Sequence, residues 1–198
     1  AANFPVSYLG LIFAENSKRF VSIENALEIT QKVPHTYVGV FVDSPIEIVA
    51  QYAHKLSLTA VQLHGTESRE YWQKLKPLLP ENCEIWKAYA VEKGSSIMND
   101  AAIDDLQSCV TQSELTRILL DCKVGQQTGG TGQAFNWELL SNLTNKDRFV
   151  LAGGVRADNI QKASKTGLGI IDINSGVEDA PAQKSQIKLT ELFAQLRA

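Results

Sequence analysis

Short runs of β-branched and aliphatic residues recur along the chain, each followed by a polar loop and then an amphipathic stretch. The runs are Tyr8–Phe13, Tyr37–Val42, Ala60–Gly65, Glu84–Val91, Arg117–Cys122, Arg148–Val155 and Gly169–Val177. They are nearly continuous in apolar residues rather than alternating. Strands covered on both faces read that way, so the expected sheet is parallel. Helix signals lie between them. Ser22 stands as a cap before a helix over Ile23–Val33, with Asn25 and Glu28 on its polar side. Pro45 takes a first-turn position before Ile46–Leu56. A helix over Glu67–Leu79 ends at Pro80, and one over Ala157–Thr166 ends at Gly167, a C-terminal stop. The last helix runs from about Gln183 to Leu196.

Seven strands alternating with seven helices predict an α/β fold, either a doubly wound sheet or a (β/α)8 TIM barrel. A doubly wound nucleotide binder needs a glycine-rich fingerprint after its first strand. Here the first run leads into Ala14-Glu15-Asn16-Ser17, and the glycine-rich turns come late in the chain. That distribution favours the barrel. A barrel has eight strands and this pattern supplies seven. The chain opens on Ala1, and Ala1–Phe4 reads like the tail of a helix. The expectation is therefore a single barrel domain over residues 1–198 without its first strand and most of its first helix, roughly 25–30 residues. A complete seven-stranded protein is the alternative.

Composition narrows the function classes. The 198 residues suit one domain, and 44% apolar with 21% charged residues is ordinary for a globular protein. Net charge is −3 with no run of Lys or Arg. Nucleic acid and anionic membrane surfaces are not expected partners, and no stretch reaches membrane-spanning length. The start does not read as a signal peptide. Three cysteines, Cys83, Cys109 and Cys122, lie far apart, which fits a reducing cytoplasm rather than a disulfide framework or zinc site. The histidines His35, His54 and His64 lack metal-ligand spacing.

Barrel active sites lie at the C-terminal ends of the strands. The polar residues there are Arg19, Asp43, Gln62, His64, Lys87, Asp121, Asp172, Asn174 and Ser175. Gly153-Gly154 ends the penultimate strand and Asn174-Ser175-Gly176 the last. Backbone N–H groups in such turns, with a short extra helix, make a phosphate nest. A lone Gly-Gly would only make a tight turn; two such loops on adjacent final strands favour phosphate. Asp121 follows Ile118-Leu119-Leu120, so desolvation would raise its pKa towards proton donation. Capping a helix or pairing with Lys123 is the other reading. Gly125–Gly132 is long and glycine-rich, either a lid or a plain surface loop. His64 lines a pocket or sits satisfied in the core. Arg19 grips a carboxylate or is a solvated loop residue. Trp72, Trp86 and Trp137 read as packing residues.

Taken together, these segments resemble phosphoribosylanthranilate isomerase. The resemblance is carried by L-G-L-I-F with S-K-R-F-V-S at 9–22, Y-V-G-V-F-V at 37–42 and A-V-Q-L-H-G at 60–65. It continues in I-L-L-D at 118–121, G-G-T-G-Q-A-F-N-W at 129–137, L-A-G-G-V at 151–155 and D-I-N-S-G-V-E at 172–178. The stretch L-S-L-T-A-V-Q-L-H-G and I-W-K-A look most like the isomerase half of bifunctional bacterial fusions with an N-terminal indole-3-glycerol-phosphate synthase domain.

The resemblance implies an Amadori rearrangement of N-(5-phosphoribosyl)anthranilate to 1-(o-carboxyphenylamino)-1-deoxyribulose 5-phosphate, a cytoplasmic step of tryptophan biosynthesis with no metal or organic cofactor. It makes Asp121 the general acid and Arg19 the partner of the anthranilate carboxylate. Gln62, His64 and Asp172 become further substrate contacts. Gly153, Gly154, Asn174, Ser175 and Gly176 become phosphate ligands. The family's base is a cysteine in a K-I-C-G-I-T-like first strand that this chain does not show, and Cys122 would point the opposite way from Asp121. The chain alone is thus expected to be nearly inactive, and an open barrel seam would invite self-association. Another phosphate-binding barrel, such as indole-3-glycerol-phosphate synthase, or a non-catalytic barrel fragment is the alternative.

Overall fold

The computed structural model describes residues 1–93, 104, 107–108, 110–111, 115–124, 127–128 and 134–197. The chain divides into two compact units, Ala1–Ala88 with Ser113–Thr116, and Tyr89–Gln112 with Arg117–Ala198.

In the first unit β1 (Leu9–Ile12), β2 (Tyr37–Phe41), β3 (Ala60–Leu63) and the part of β4 (Glu84–Glu92) up to Ala88 follow one another in space as in sequence. All three pairings are parallel, with Leu9 opposite Tyr37, Val38 opposite Ala60, and Ala60 opposite Glu84. The strands connect through α1 (Ile23–Lys32), α2 (Ile46–Lys55) and α3 (Arg69–Leu75). Ser22 caps α1 by accepting from the Asn25 N–H at 3.3 Å, and Ser68 caps α3 by accepting from Tyr71 at 3.4 Å. Phe41, Val49, Ala53, Ala60, Val61, Leu63 and Leu75 are fully buried between sheet and helices. Phe13 stacks on Phe41 at 5.1 Å and meets Tyr52 edge-on at 5.1 Å. Burying each such large side chain stabilises the unit by about 1.5–3 kcal/mol.

In the second unit β5 (Arg117–Val124) pairs in parallel with β7 (Phe149–Leu151), and β7 with β8 (Ile170–Ile171). The short β6 (Gln127–Thr128) folds back antiparallel on β5. After β8 come a 3-10 turn at Ser175–Val177 and a hairpin of β9 (Glu178–Ala180) with β10 (Gln183–Lys184). The helices are α4 (Ile160–Ser164) and α5 (Gln186–Arg197), tied where the Gln161 side-chain amide donates to the Gln195 carbonyl at 3.1 Å. Ile118, Leu119, Phe149, Val150, Leu151, Ile160 and Leu192 form its core.

Several boundaries differ from the sequence reading, each for a local reason. The last strand was expected to run to Val177, but β8 stops at Ile171. Asp172 adds one more ladder bond, its N–H donating to Leu151 O at 2.8 Å, before Asn174 turns the chain at φ −119° and ψ −88°. The final helix begins at Gln186 rather than Gln183, because Ala182 takes φ +67° and turns Gln183–Lys184 back along Glu178–Ala180. The helix expected from Glu67 starts at Arg69, since Ser68 takes the cap, and it tightens into a 3-10 turn at Lys76–Leu78 that contains Pro77. Helix α4 starts at Ile160 rather than Ala157, because the Asn159 side chain captures the Arg156 N–H at 2.9 Å. Pro45 stands one place before the first turn of α2. Between β5 and β7 the described connection includes two 3-10 helices, Trp137–Asn142 and Lys146–Arg148, and five α-helices have described bounds. Between β4 and β5, where a helix is expected, residues 104, 107–108 and 110–111 are described and helical, while Cys109 and most of Gly125–Gly132 lie outside the described residues. Trp72, Trp86 and Trp137 are buried, as expected of packing residues. No helix among the described residues is long and apolar enough to cross a membrane.

Candidate functional site

In the first unit the polar residues gather at the C-terminal ends of β2, β3 and β4. Gln62 lies on β3 and is 6% exposed; its side-chain N–H donates to His64 Nδ1 at 3.0 Å. They share a face because residues two apart on a strand do. With Nδ1 accepting, the neutral ring carries its proton on Nε2, which makes His64 a hydrogen-bond donor at that atom. Arg19 is half-buried in the loop after β1, its N–H donating to Ser17 Oγ at 3.1 Å.

Beyond His64 the chain builds a buried ionic knot. Glu67 accepts from the N–H groups of Asp43 (2.9 Å, to Oε1) and Gly65 (3.0 Å, to Oε2). Lys87, on β4, donates to Glu67 Oε2 at 3.0 Å, to Gly65 O at 2.7 Å and to Leu63 O at 3.4 Å. Asp43 in turn accepts from Thr66 N–H and hydroxyl at 2.6 and 2.9 Å. Tyr71 donates its hydroxyl to Ser44 O at 2.6 Å. Burial, with the nearby Glu67 charge, pushes its phenol up to about 12. Asp43 and Lys87, which sequence reasoning placed at strand ends, are therefore knotted to Glu67, which it placed on a helix.

The second unit brings most of the remaining candidates together. Asp121, on β5, is 5% exposed, and its Oδ1 accepts from the Cys122 N–H at 2.8 Å. Gly153 has φ +83°, a conformation that glycine adopts at no steric cost. A Cβ there would fall 2.8 Å from Asp121 Oδ1, so the carboxylate lies directly against the first glycine of the loop after β7. The neighbouring Gly154 carbonyl is held by the Asn159 side-chain N–H at 2.9 Å. Gly176, in the loop after β8, packs so closely on the Val155 carbonyl that a Cβ would fall 1.9 Å from its oxygen. The two loops thus form one continuous backbone surface. Asn174 and Ser175 open its second half, half-buried, and Asp172 is exposed just before them.

Lys184, Glu178 and Asn159 were not singled out from sequence. Lys184 donates to Asn174 Oδ1 at 2.6 Å, Asn174 O at 2.8 Å and Glu178 Oε1 at 2.8 Å. The legible signal was the Glu178–Lys184 spacing across Pro181-Ala182, just before the segment read as helix. Of the described cysteines, Cys122 lies against the same turn, its Cβ 2.9 Å from where a Gly153 Cβ would fall. Cys122 is fully buried. Cys83 precedes β4, at the end away from the candidate residues, and burial pushes its thiol up to about 11. Among the described residues no group of three His, Cys, Asp or Glu could hold a metal ion.

The family model for N-(5'phosphoribosyl)anthranilate (PRA) isomerase matches residues 1–195. The chain belongs to the phosphoribosylanthranilate isomerase family. It is similar to the tryptophan biosynthesis protein TrpCF of Vibrio cholerae, 45% identical over 188 residues, covering 95% of this chain and 37% of that protein. This chain thus spans little more than a third of that relative's length. Among solved structures it is similar to the phosphoribosyl anthranilate isomerase of Thermus thermophilus, with TM-score 0.79, 29% identity, and coverage of 98% of this chain and 88% of the other. A phosphoribosyl anthranilate isomerase in complex with reduced 1-(o-carboxyphenylamino)-1-deoxyribulose 5-phosphate matches at TM-score 0.73 and 28% identity, over 96% of this chain and 87% of the other. The parallel βα order and these likenesses bear out the α/β barrel class, and they favour the isomerase family over the synthase alternative.

Proposed function

We propose that this chain forms the phosphate-binding and acid-donating part of a phosphoribosylanthranilate isomerase in tryptophan biosynthesis. The reaction converts N-(5-phosphoribosyl)anthranilate to 1-(o-carboxyphenylamino)-1-deoxyribulose 5-phosphate. The observation that carries this reading is the contact between Asp121 and the Gly153 turn. A phosphosugar anchored on Gly153, Gly154, Asn174, Ser175 and Gly176 would have a buried carboxyl group at the edge of its anchor. Asp121 protonates the furanose ring oxygen, and the anthranilate nitrogen pushes the ring open to a Schiff base. Loss of the C2′ proton to a base, then tautomerisation, completes the rearrangement. The family resemblance assigns Arg19 to the anthranilate carboxylate, Gln62 and His64 to substrate contacts, and Asp172 to a sugar hydroxyl. A family member at 28% identity that holds the reduced form of the product supports the substrate class.

Neither described cysteine is assigned as the base, for the reasons of burial and position given above. The length of the TrpCF relative supports covalent fusion to an N-terminal indole-3-glycerol-phosphate synthase domain, and a cytoplasmic location belongs to the same reading. Self-association through an open barrel seam is part of the same reading; a monomeric sedimentation coefficient at micromolar concentration would remove it. The acid assignment is tested by Asp121→Asn in the protein that carries this chain. One missing general acid should lower kcat by roughly 10²–10⁴-fold, with inorganic phosphate still bound. Unchanged kcat would overturn the assignment.

A further inference from the structure

We propose that Lys184 is the positioning residue of the phosphate site, acting through Asn174; this rests on the phosphate reading of the Gly153–Gly154 and Asn174–Gly176 loops. An ammonium group has three donors. At Lys184 they reach the Asn174 side-chain oxygen, the Asn174 carbonyl and Glu178 Oε1 at 2.6, 2.8 and 2.8 Å. Those contacts fill its donor capacity, so its effect on a bound anion passes through Asn174 rather than through direct ligation.

Two things are fixed by that contact. The first is the backbone turn at Asn174, φ −119° and ψ −88°, which starts the Ser175–Val177 3-10 turn. The second is the direction of the Asn174 amide. An asparagine can present either its oxygen or its NH2 to a ligand. With the oxygen tied to Lys184, the NH2 is the end left to an incoming phosphate, the correct polarity for an anion. Glu178 sets the lysine. Its side chain is 4% exposed while that of Lys184 is 31% exposed, so a buried carboxylate holds a partly open cation at the lip of the loop. Ser185 N–H to Val177 O at 2.8 Å, and Lys188 Nζ to Glu178 O at 2.5 Å, brace the same hairpin. Nothing in the packing of an ordinary surface lysine requires this convergence on one candidate ligand.

The test compares Lys184→Met, Lys184→Arg, Asn174→Ala and the Lys184→Met/Asn174→Ala double variant in the protein that carries this chain. Binding of inorganic phosphate is followed by calorimetry and isomerase turnover by kcat and KM. Losing a hydrogen bond to a charged group corresponds to about tenfold or more in affinity. Lys184→Met should raise the phosphate Kd and KM about tenfold and leave kcat within a few fold, and Lys184→Arg should recover part of the loss. The double variant should bind phosphate no worse than Asn174→Ala alone, because a residue acting through another adds nothing once the other is gone. A Lys184→Met variant that melts earlier but keeps its KM, or additive losses in the double variant, would overturn the proposal. If Gly176→Val leaves phosphate affinity unchanged, the phosphate reading itself fails, and the proposal with it.

Discussion

Lys87 and Lys184 repeat one arrangement in the two units with opposite outcomes. Each stands over a buried glutamate and holds backbone carbonyl oxygen, Leu63 and Gly65 in one case and Asn174 in the other. The side chain of Lys87 is 10% exposed over a Glu67 that is 1% exposed, and its acceptors are all protein. Lys184 is 31% exposed and grips a side chain at the edge of a glycine-rich turn. The sealed version fastens the loops after β2 and β3 to β4. In the proposed reading, the open version leaves the Asn174 amide NH2 to the bound anion. Burial decides which job the same three groups perform.

Breaking the two arrangements should give unequal effects. Lys87→Met leaves Glu67 buried and unpaired, and should cost about 3–5 kcal/mol of stability, read from urea unfolding. A loss under about 1 kcal/mol would show that the pair is not sealed. Adding Glu67→Gln to Lys87→Met should recover part of that loss, because it removes the stranded charge. Lys184→Met should change stability by about 1 kcal/mol or less, the range for partly exposed ion pairs, so its functional loss would exceed its structural one. The smallest effect belongs to Tyr71, beside the sealed knot. Its phenol lies above its usual 10, at about 12. The stability this contributes is complete below pH 10 and is lost as pH rises towards 12, because the unfolded chain ionises first. Tyr71→Phe should flatten that alkaline decline; an unchanged slope would assign it to other groups.

Much of this was legible from the chain. The strands at 37–41 and 60–63 were readable because continuous apolar runs have no other use in an α/β protein. Gly153 and Gly154 were readable because paired glycines mark turns, and both take positive φ. Asp121 stood out as a carboxylate ending an apolar strand. Glu67 was hidden by its place before Ser68, where it looks like the first turn of a helix. It pairs with a lysine 20 residues away on the next strand, a contact that no local period reveals. Lys184 was hidden for a similar reason: Gln183–Lys184 read as the start of the last helix until the φ +67° turn at Ala182 is seen. Asn174→Asp should weaken phosphate binding, read by the same calorimetric titration. One carboxylate oxygen would take over the bond to Lys184, and the other would turn an acceptor towards the anion in place of the amide NH2.

The role of Asp121 is tested most directly by single-turnover conversion of N-(5-phosphoribosyl)anthranilate by the protein that carries this chain, with and without Asp121→Asn, alongside inorganic phosphate titrations of both. A rate lowered by roughly 10²–10⁴-fold with an unchanged phosphate Kd is the result expected of a buried acid beside an intact phosphate loop. A variant that turns over at nearly the parent rate, or that loses rate and phosphate affinity in equal measure, would contradict it.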